Sequence, residues 1–174
     1  GRIESVLGWA TTSGYRTGEN PARWKGHLEN LLATISKARR TKNHPALPWQ
    51  QAGAFVHALR ARAGVAALAL EFLILTACRS GEVRGALWAE FDLDGRLWTI
   101  PAARMKGARE HQVPLSDPAV RILAALPKDS DIVFPGTKGQ ALSDMSLTTV
   151  VRRMGGRHDW VDADGARVTV HGFR

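Results

Sequence analysis

The stretch Val65-Ala66-Ala67-Leu68-Ala69-Leu70-Glu71-Phe72-Leu73-Ile74-Leu75-Thr76-Ala77-Cys78-Arg79-Ser80-Gly81-Glu82-Val83 decides the fold. From Val65 to Thr76 it is apolar almost all round, which is the pattern of a helix buried at the centre of a domain. The pattern then breaks into Arg79-Ser80-Gly81-Glu82. Ser80 is a candidate cap for a following helix that carries Glu82, Val83, Ala86 and Leu87 and runs to Trp88. Arg79 falls half buried at the junction of the two helices. A guanidinium is costly there unless it meets an anion. Two readings stay open: an anion site, or a salt bridge from Arg79 to Glu82 or an aspartate that ties the helices together.

Upstream, Trp49 to Arg62 sets Ala52, Phe55, Val56 and Leu59 on one helical face. Downstream the periodicity changes. Glu90–Leu93, Arg96–Ile100 and His111–Leu115 alternate apolar and polar residues as short strands do, and Asp94-Gly95 supplies a turn between the first two. A small three-stranded antiparallel sheet is expected. Its second and third strands are joined by the basic loop Arg104-Met105-Lys106-Gly107-Ala108-Arg109. Helical spacing resumes after Ser116-Asp117-Pro118 through Val120, Ile122, Leu123 and Leu126. Ile132–Pro135 is a short extended piece. Ser143 caps a helix with Leu147, Val150, Val151 and Met154. Asp164-Gly165 turns the chain into Arg167–Val170, ahead of His171-Gly172-Phe173-Arg174. The class is mixed α+β and mainly α-helical.

Towards the N-terminus, Ile3, Val6, Leu7, Trp9 and Ala10 have helical spacing. A second helical stretch covers Trp24 to Leu32, with Asn20-Pro21 as cap and first turn. Neither buries its apolar face alone, so residues 1–33 read as the end of an upstream domain. The polar, basic segment 34–47 has linker composition and contributes Lys37, Arg39, Arg40 and Lys42. Residues 48–174 form the main domain.

Lys and Arg number 24 against 16 Asp and Glu, a net charge of +8, and 44% of residues are apolar. That composition builds a core and favours an anionic partner such as nucleic acid. The single cysteine, Cys78, excludes an intrachain disulfide and any multi-cysteine metal site, and it reads as a small buried hydrophobe. The six histidines show no zinc spacing, and no phosphate loop or dinucleotide fingerprint occurs. Asp92-Leu93-Asp94-Gly95 and Asp162-Ala163-Asp164-Gly165 lack the remainder of a calcium loop and read as hairpin turns. No cofactor or metal is expected. No apolar run approaches the ~18 residues that span a bilayer, and the N-terminus has no signal-peptide pattern. The expectation is a soluble, cytoplasmic protein with no membrane partner.

His171 and Arg174 share a face if a helix starts there, and could supply a proton-transfer group and a phosphate clamp. Two surface residues would satisfy the same spacing. Lys106, at the hairpin tip, is on its own a solvated loop lysine.

Taken in order, Thr76-Ala77-Cys78-Arg79-Ser80-Gly81-Glu82-Val83, the lysine hairpin, Val113-Pro114-Leu115, Ile132-Val133-Phe134-Pro135 and Val170-His171-Gly172-Phe173-Arg174 closely resemble the catalytic domain of tyrosine recombinases. The resemblance is to the phage integrase type, in particular the prophage integrases that insert into tRNA genes, and covers about residues 44–174. Arg23-Trp24-Lys25-Gly26-His27-Leu28 is similar to the end of that group's core-binding (SAM-like) domain. Type IB topoisomerases share related chemistry, but the motif context resembles integrases better.

The resemblance implies site-specific DNA integration and recombination by strand cleavage and rejoining. A tyrosine forms a 3′-phosphotyrosine, and no cofactor is needed. Arg79 and Arg174 would hold the charge gathering on the phosphate oxygens, a task that suits a permanent fork of donors. Lys106 would protonate the leaving 5′-oxygen, and His171 would assist proton transfer. Glu82 would orient Arg79 or His171. Arg104 and Arg109 share the Lys106 loop and, with the linker cations, would contact double-stranded DNA at attachment sites. Whole proteins of the family work as tetramers on paired sites. The family's tyrosine lies beyond His-x-x-Arg, whereas Tyr15 matches no motif. The expectation is a catalytic domain truncated before its nucleophile: monomeric, DNA-binding and inactive alone. One alternative is a non-catalytic DNA-binding remnant of an integrase. Another is a basic helical interaction protein whose arginines are purely structural.

Overall fold

The computed structural model describes residues 1–32, 43–105, 107–155 and 160–174. The chain divides into two compact units, Gly1–Lys42 and Asn43–Arg174.

In the smaller unit, helix α1 spans Arg2–Thr12. The expected second helix is broken. Asn20 accepts from the backbone N–H of Ala22 and turns the chain there, instead of capping a continuous helix. Lys25 and Gly26 are non-helical, Gly26 at φ 74°, and regular helix is confined to α2, Glu29–Leu31. Glycine reaches that left-handed conformation at no steric cost, so the break falls there. None of this unit's described residues is buried.

The larger unit is built round α4, Val65–Thr76, whose Ala67, Ala69, Leu70, Phe72 and Leu73 are buried. Helix α3, Ala52–Arg60, follows a single turn at Trp49–Gln51. It packs on α4 and is tied to it by Arg60 and the buried Glu71, 2.6 Å apart. Helices α6, Asp117–Ala124, and α7, Ser146–Met154, also pack on α4. Strands β1 Phe91–Asp92, β2 Leu97–Ile100 and β3 His111–Pro114 form an antiparallel sheet in the order β1-β2-β3. Trp98 faces Phe91 and Val113 across that sheet. The sheet joins the core through Trp98, whose ring centroid is 5.5 Å from Phe72 and 5.2 Å from Phe91. The fold is therefore mixed α+β and mainly helical, with the small sheet at one side of the central helix.

Several local readings change. Helix α5, Ser80–Arg84, is capped by Arg79, and Ser80 is its first residue. The helix stops at Gly85 rather than reaching Trp88. The chain then extends so that Leu87 bridges Ile132, and a turn of 3-10 helix covers Trp88–Glu90. Between β1 and β2 the left-handed residue is Arg96, at φ 53°, and not Gly95. The turn is closed by Asp92, which accepts from the Gly95 N–H at 2.8 Å. Gly95 is needed for room, since a Cβ there would lie 2.3 Å from the Asp92 carboxylate. Ser143 hydrogen-bonds Ser146 one turn ahead of α7, whose cap is Met145. Residues 43–47, read from composition as the end of the linker, group with the larger unit: Pro45 O accepts from Thr169 N at 3.1 Å. Residues 34–42, the rest of that linker, lie outside the described residues, as does residue 33 before it. Among the described residues no helix is long and apolar enough to cross a membrane.

Candidate active site

Helix α4 ends because Ala77 turns left-handed, at φ 51° and ψ 26°. This conformation is uncommon for a residue with a Cβ. It leads the chain through buried Cys78 into Arg79, which is extended and caps α5. Glu82, three residues on, reaches back: its carboxylate accepts from Arg79 N at 2.7 Å and from the Arg79 guanidinium at 2.6 Å. The reciprocal carboxylate is the acidic half of a capping box. Here it also fixes the direction of a side chain that keeps 38% of its surface exposed.

The C-terminal turn reaches the same junction. Val170–Phe173 is 3-10 helix, so side chains three apart share a side. Val170 is buried, and Phe173 packs on Phe55 with ring centroids 4.6 Å apart. His171 and Arg174 are exposed. Arg174 Nε donates to the carbonyl of Ala77 at 3.1 Å, across 97 residues of sequence. The left-handed turn at Ala77 thus supplies an acceptor for one arginine and leads the chain to the other.

The electrostatics agree with this grouping. Burial alone would raise the Glu82 carboxyl. The hydrogen bonds from the Arg79 backbone and side chain, with the charges of Arg79 and Arg174, outweigh it and hold Glu82 below the usual carboxylate range. Burial pushes the Cys78 thiol up, against the lowering influence of Thr76 and both arginines. The thiol is therefore protonated and inert at neutral pH.

Beside the junction lies a cleft of about 430 Å³ whose lining includes His44, Ser80, Thr148, Arg152, Thr169 and His171. Ser80 links it to Arg79 through the chain. Of the residues singled out in the sequence, Arg79, Glu82 and Arg174 meet at the junction, and His171 lines the neighbouring cleft. Lys106, Lys37, Arg39, Arg40 and Lys42 lie outside the described residues. Arg109 is exposed on the loop between β2 and β3.

Arg104 is turned inward instead. Its guanidinium pairs with the buried Glu90 and donates to the Glu82 carbonyl at 2.6 Å. Glu90 also accepts from Trp98 Nε1 at 2.9 Å. Arg104 therefore clamps the start of the lysine loop to α5, an interior duty that leaves little of the guanidinium for an outside anion. Sequence reasoning missed this clamp, and it missed His44, Thr148 and Arg152 in the cleft. Thr148 and Arg152 carry one weak signal, the i, i+4 spacing that puts both on one face of α7. Nothing in the sequence marks Glu90 as the partner of Arg104.

The pattern that defines the phage integrase family matches residues 46–174. Among curated relatives, the prophage integrase IntS of Escherichia coli is 36% identical over 132 residues, 71% of this chain and 34% of that protein. The integrase of Enterobacteria phage P4 is 33% identical over 192 aligned positions, 99% of this chain and 40% of that protein. The chain thus spans well under half the length of these relatives. Among solved structures, a Tn1549 transposon integrase in complex with a circular intermediate DNA superposes with a TM-score of 0.65 at 12% identity. That likeness covers 98% of this chain and 60% of that one. A lambda integrase dimer bound to a core site gives a TM-score of 0.62 at 15% identity, covering 98% of this chain and 47% of that one. These likenesses establish the fold, that of a tyrosine-recombinase catalytic domain. With the family pattern spanning most of the larger unit and relatives above 30% identity, this chain belongs to the phage integrase family.

Proposed function

We propose that these residues are the phosphate-holding apparatus of an enzyme that integrates or recombines DNA by strand cleavage and rejoining through a 3′-phosphotyrosine. The observation that carries this reading is the meeting of Arg79 and Arg174 at the Ala77–Glu82 junction, with Glu82 aligning Arg79. Two guanidiniums beside a cleft suit a phosphodiester whose non-bridging oxygens gain charge in the transition state. His171 would accept or deliver a proton at that phosphate. Lys106 would protonate the leaving 5′-oxygen. Arg109 and the cations Lys37, Arg39, Arg40 and Lys42 would hold the flanking backbone, adding counterion release to affinity. Integrases of related fold have been solved on DNA, one on a circular intermediate and one on a core site, which supports the reading that the partner is double-stranded attachment-site DNA. The whole protein would act as a tetramer on paired sites.

The one tyrosine in the sequence, Tyr15, lies in the smaller unit and outside the matched residues. The attacking hydroxyl would therefore come from outside these 174 residues, and the chain by itself would bind without cutting. The test pairs two measurements. Affinity for a duplex should fall steeply with salt, and Arg79→Ala with Arg174→Ala should weaken it at fixed ionic strength. A nicked suicide duplex should give no covalent adduct with this chain and one with a form carrying the family's tyrosine. Salt-insensitive or absent duplex binding would defeat the reading. An adduct on this chain would defeat the assignment of the nucleophile.

A further inference from the structure

The ring of His171 lies against that of His44, with centroids 4.3 Å apart and planes tilted by 58°. His44 lies just ahead of residues 46–174, outside the part of the chain that the family pattern covers. Three features hold it in place. Pro45 O accepts from Thr169 N at 3.1 Å and from the Thr169 hydroxyl at 3.4 Å, so the segment is strapped to the strand-like approach to the His-x-x-Arg turn. Gly172 lies directly beneath the strap: a Cβ there would sit 2.0 Å from Pro45 O and 2.9 Å from Ala46 Cα. And His44 precedes a proline, which confines its backbone to extended conformations. Both rings are exposed and line the same cleft as Ser80, Thr148 and Arg152.

An exposed imidazole on a short 3-10 turn has several rotamers open to it, and only some direct a ring nitrogen into the cleft. A second ring wedged against it removes part of that freedom before any ligand arrives. We propose that His44 is a positioning residue: it holds the His171 imidazole toward the cleft that receives a DNA phosphate. The strap of Pro45 and Ala46 over Gly172 keeps it there. The proposal rests on the reading of the cleft as a phosphodiester site. It explains why glycine stands between His171 and Phe173 without a left-handed backbone to require it.

The test uses the 174-residue chain with labelled histidine rings and a mixed-sequence DNA duplex of about two helical turns. His44→Ala should move the His171 ring resonances towards those of an unstacked imidazole. It should also weaken duplex binding about three- to tenfold at fixed ionic strength, the cost of ordering one more side chain on binding. His44→Phe, which keeps a ring and loses the nitrogens, should restore both. His57→Ala, on the exposed face of α3, should change neither. Unmoved His171 resonances in His44→Ala would overturn the proposal. So would moved resonances with unchanged affinity, or failure of His44→Phe to restore binding. Absence of duplex binding by the unsubstituted chain is a different result, and it would bring down the proposed function itself.

Discussion

At the scale of single residues, Glu82 is the sharpest case. Its carboxyl is held below the ordinary value of 4.5 because the Arg79 hydrogen bonds and the two arginine charges outweigh its burial. A group whose folded value is depressed stabilises the fold fully above the unfolded value, and that contribution drains away as pH falls through the folded one. Thermal melts should therefore show stability falling below about pH 4.5, and Glu82→Gln should flatten that acid limb. At neutral pH, Glu82→Ala should cost about 2 kcal/mol, through the lost cap and the unpaired arginine. Ala77 should respond in the opposite direction. Its left-handed backbone is strained for alanine, so Ala77→Gly should raise stability by about 0.5–1 kcal/mol in urea unfolding. Cys78 should react with thiol reagents only as fast as the domain opens, because it is 4% exposed and its thiol is kept protonated. The sequence reading of Cys78 as a small buried hydrophobe holds. Of the two open readings of Arg79, the structure shows the salt bridge to Glu82, and the anion site belongs to the proposed function.

At the scale of elements, the apolar and alternating patterns located α4, the three strands and α6 to within a few residues. They misjudged ends and caps. The second N-terminal helix fails at Gly26, α5 is cut at Gly85, and the cap passes from Ser80 to Arg79 because Glu82 reaches back to its N–H. Hydrophobic periodicity reports which face is buried, whereas caps depend on single hydrogen bonds that leave no periodic trace. The loop between β2 and β3 shows the same limit. Its arginines are equivalent in composition, yet Arg104 is fixed by Glu90 and the Glu82 carbonyl while Arg109 is exposed. Arg104→Ala would leave Glu90 buried without its cation, and should cost about 3 kcal/mol in chemical denaturation. It should also loosen the loop that carries Lys106, read as faster amide exchange over residues 101–110. Gly172→Ala should cost about 1–3 kcal/mol by the same measurement, because a Cβ meets the Pro45 carbonyl.

At the scale of the whole molecule, the two units differ in what they bury. Residues 43–174 hold the continuous core of Phe55, Leu70, Phe72, Trp98, Phe134 and Leu147, whereas none of the described residues of 1–42 is buried. Residues 43–174 produced alone should therefore melt in one cooperative transition close to that of the full chain, and residues 1–42 alone should show little stable helix by circular dichroism. The sequence by itself determined the class of fold, the buried central helix, the small sheet, the basic charge and the ordered motifs that mark the family. These are properties of local pattern, and each helix or strand carries its own. Only the tertiary structure decided that Arg174 reaches Ala77, that Arg104 turns inward, and that His44 lies against His171. Those contacts join residues far apart in the chain, and no local preference encodes them. They arise when the packing of α4 against its neighbours brings separate turns to one place.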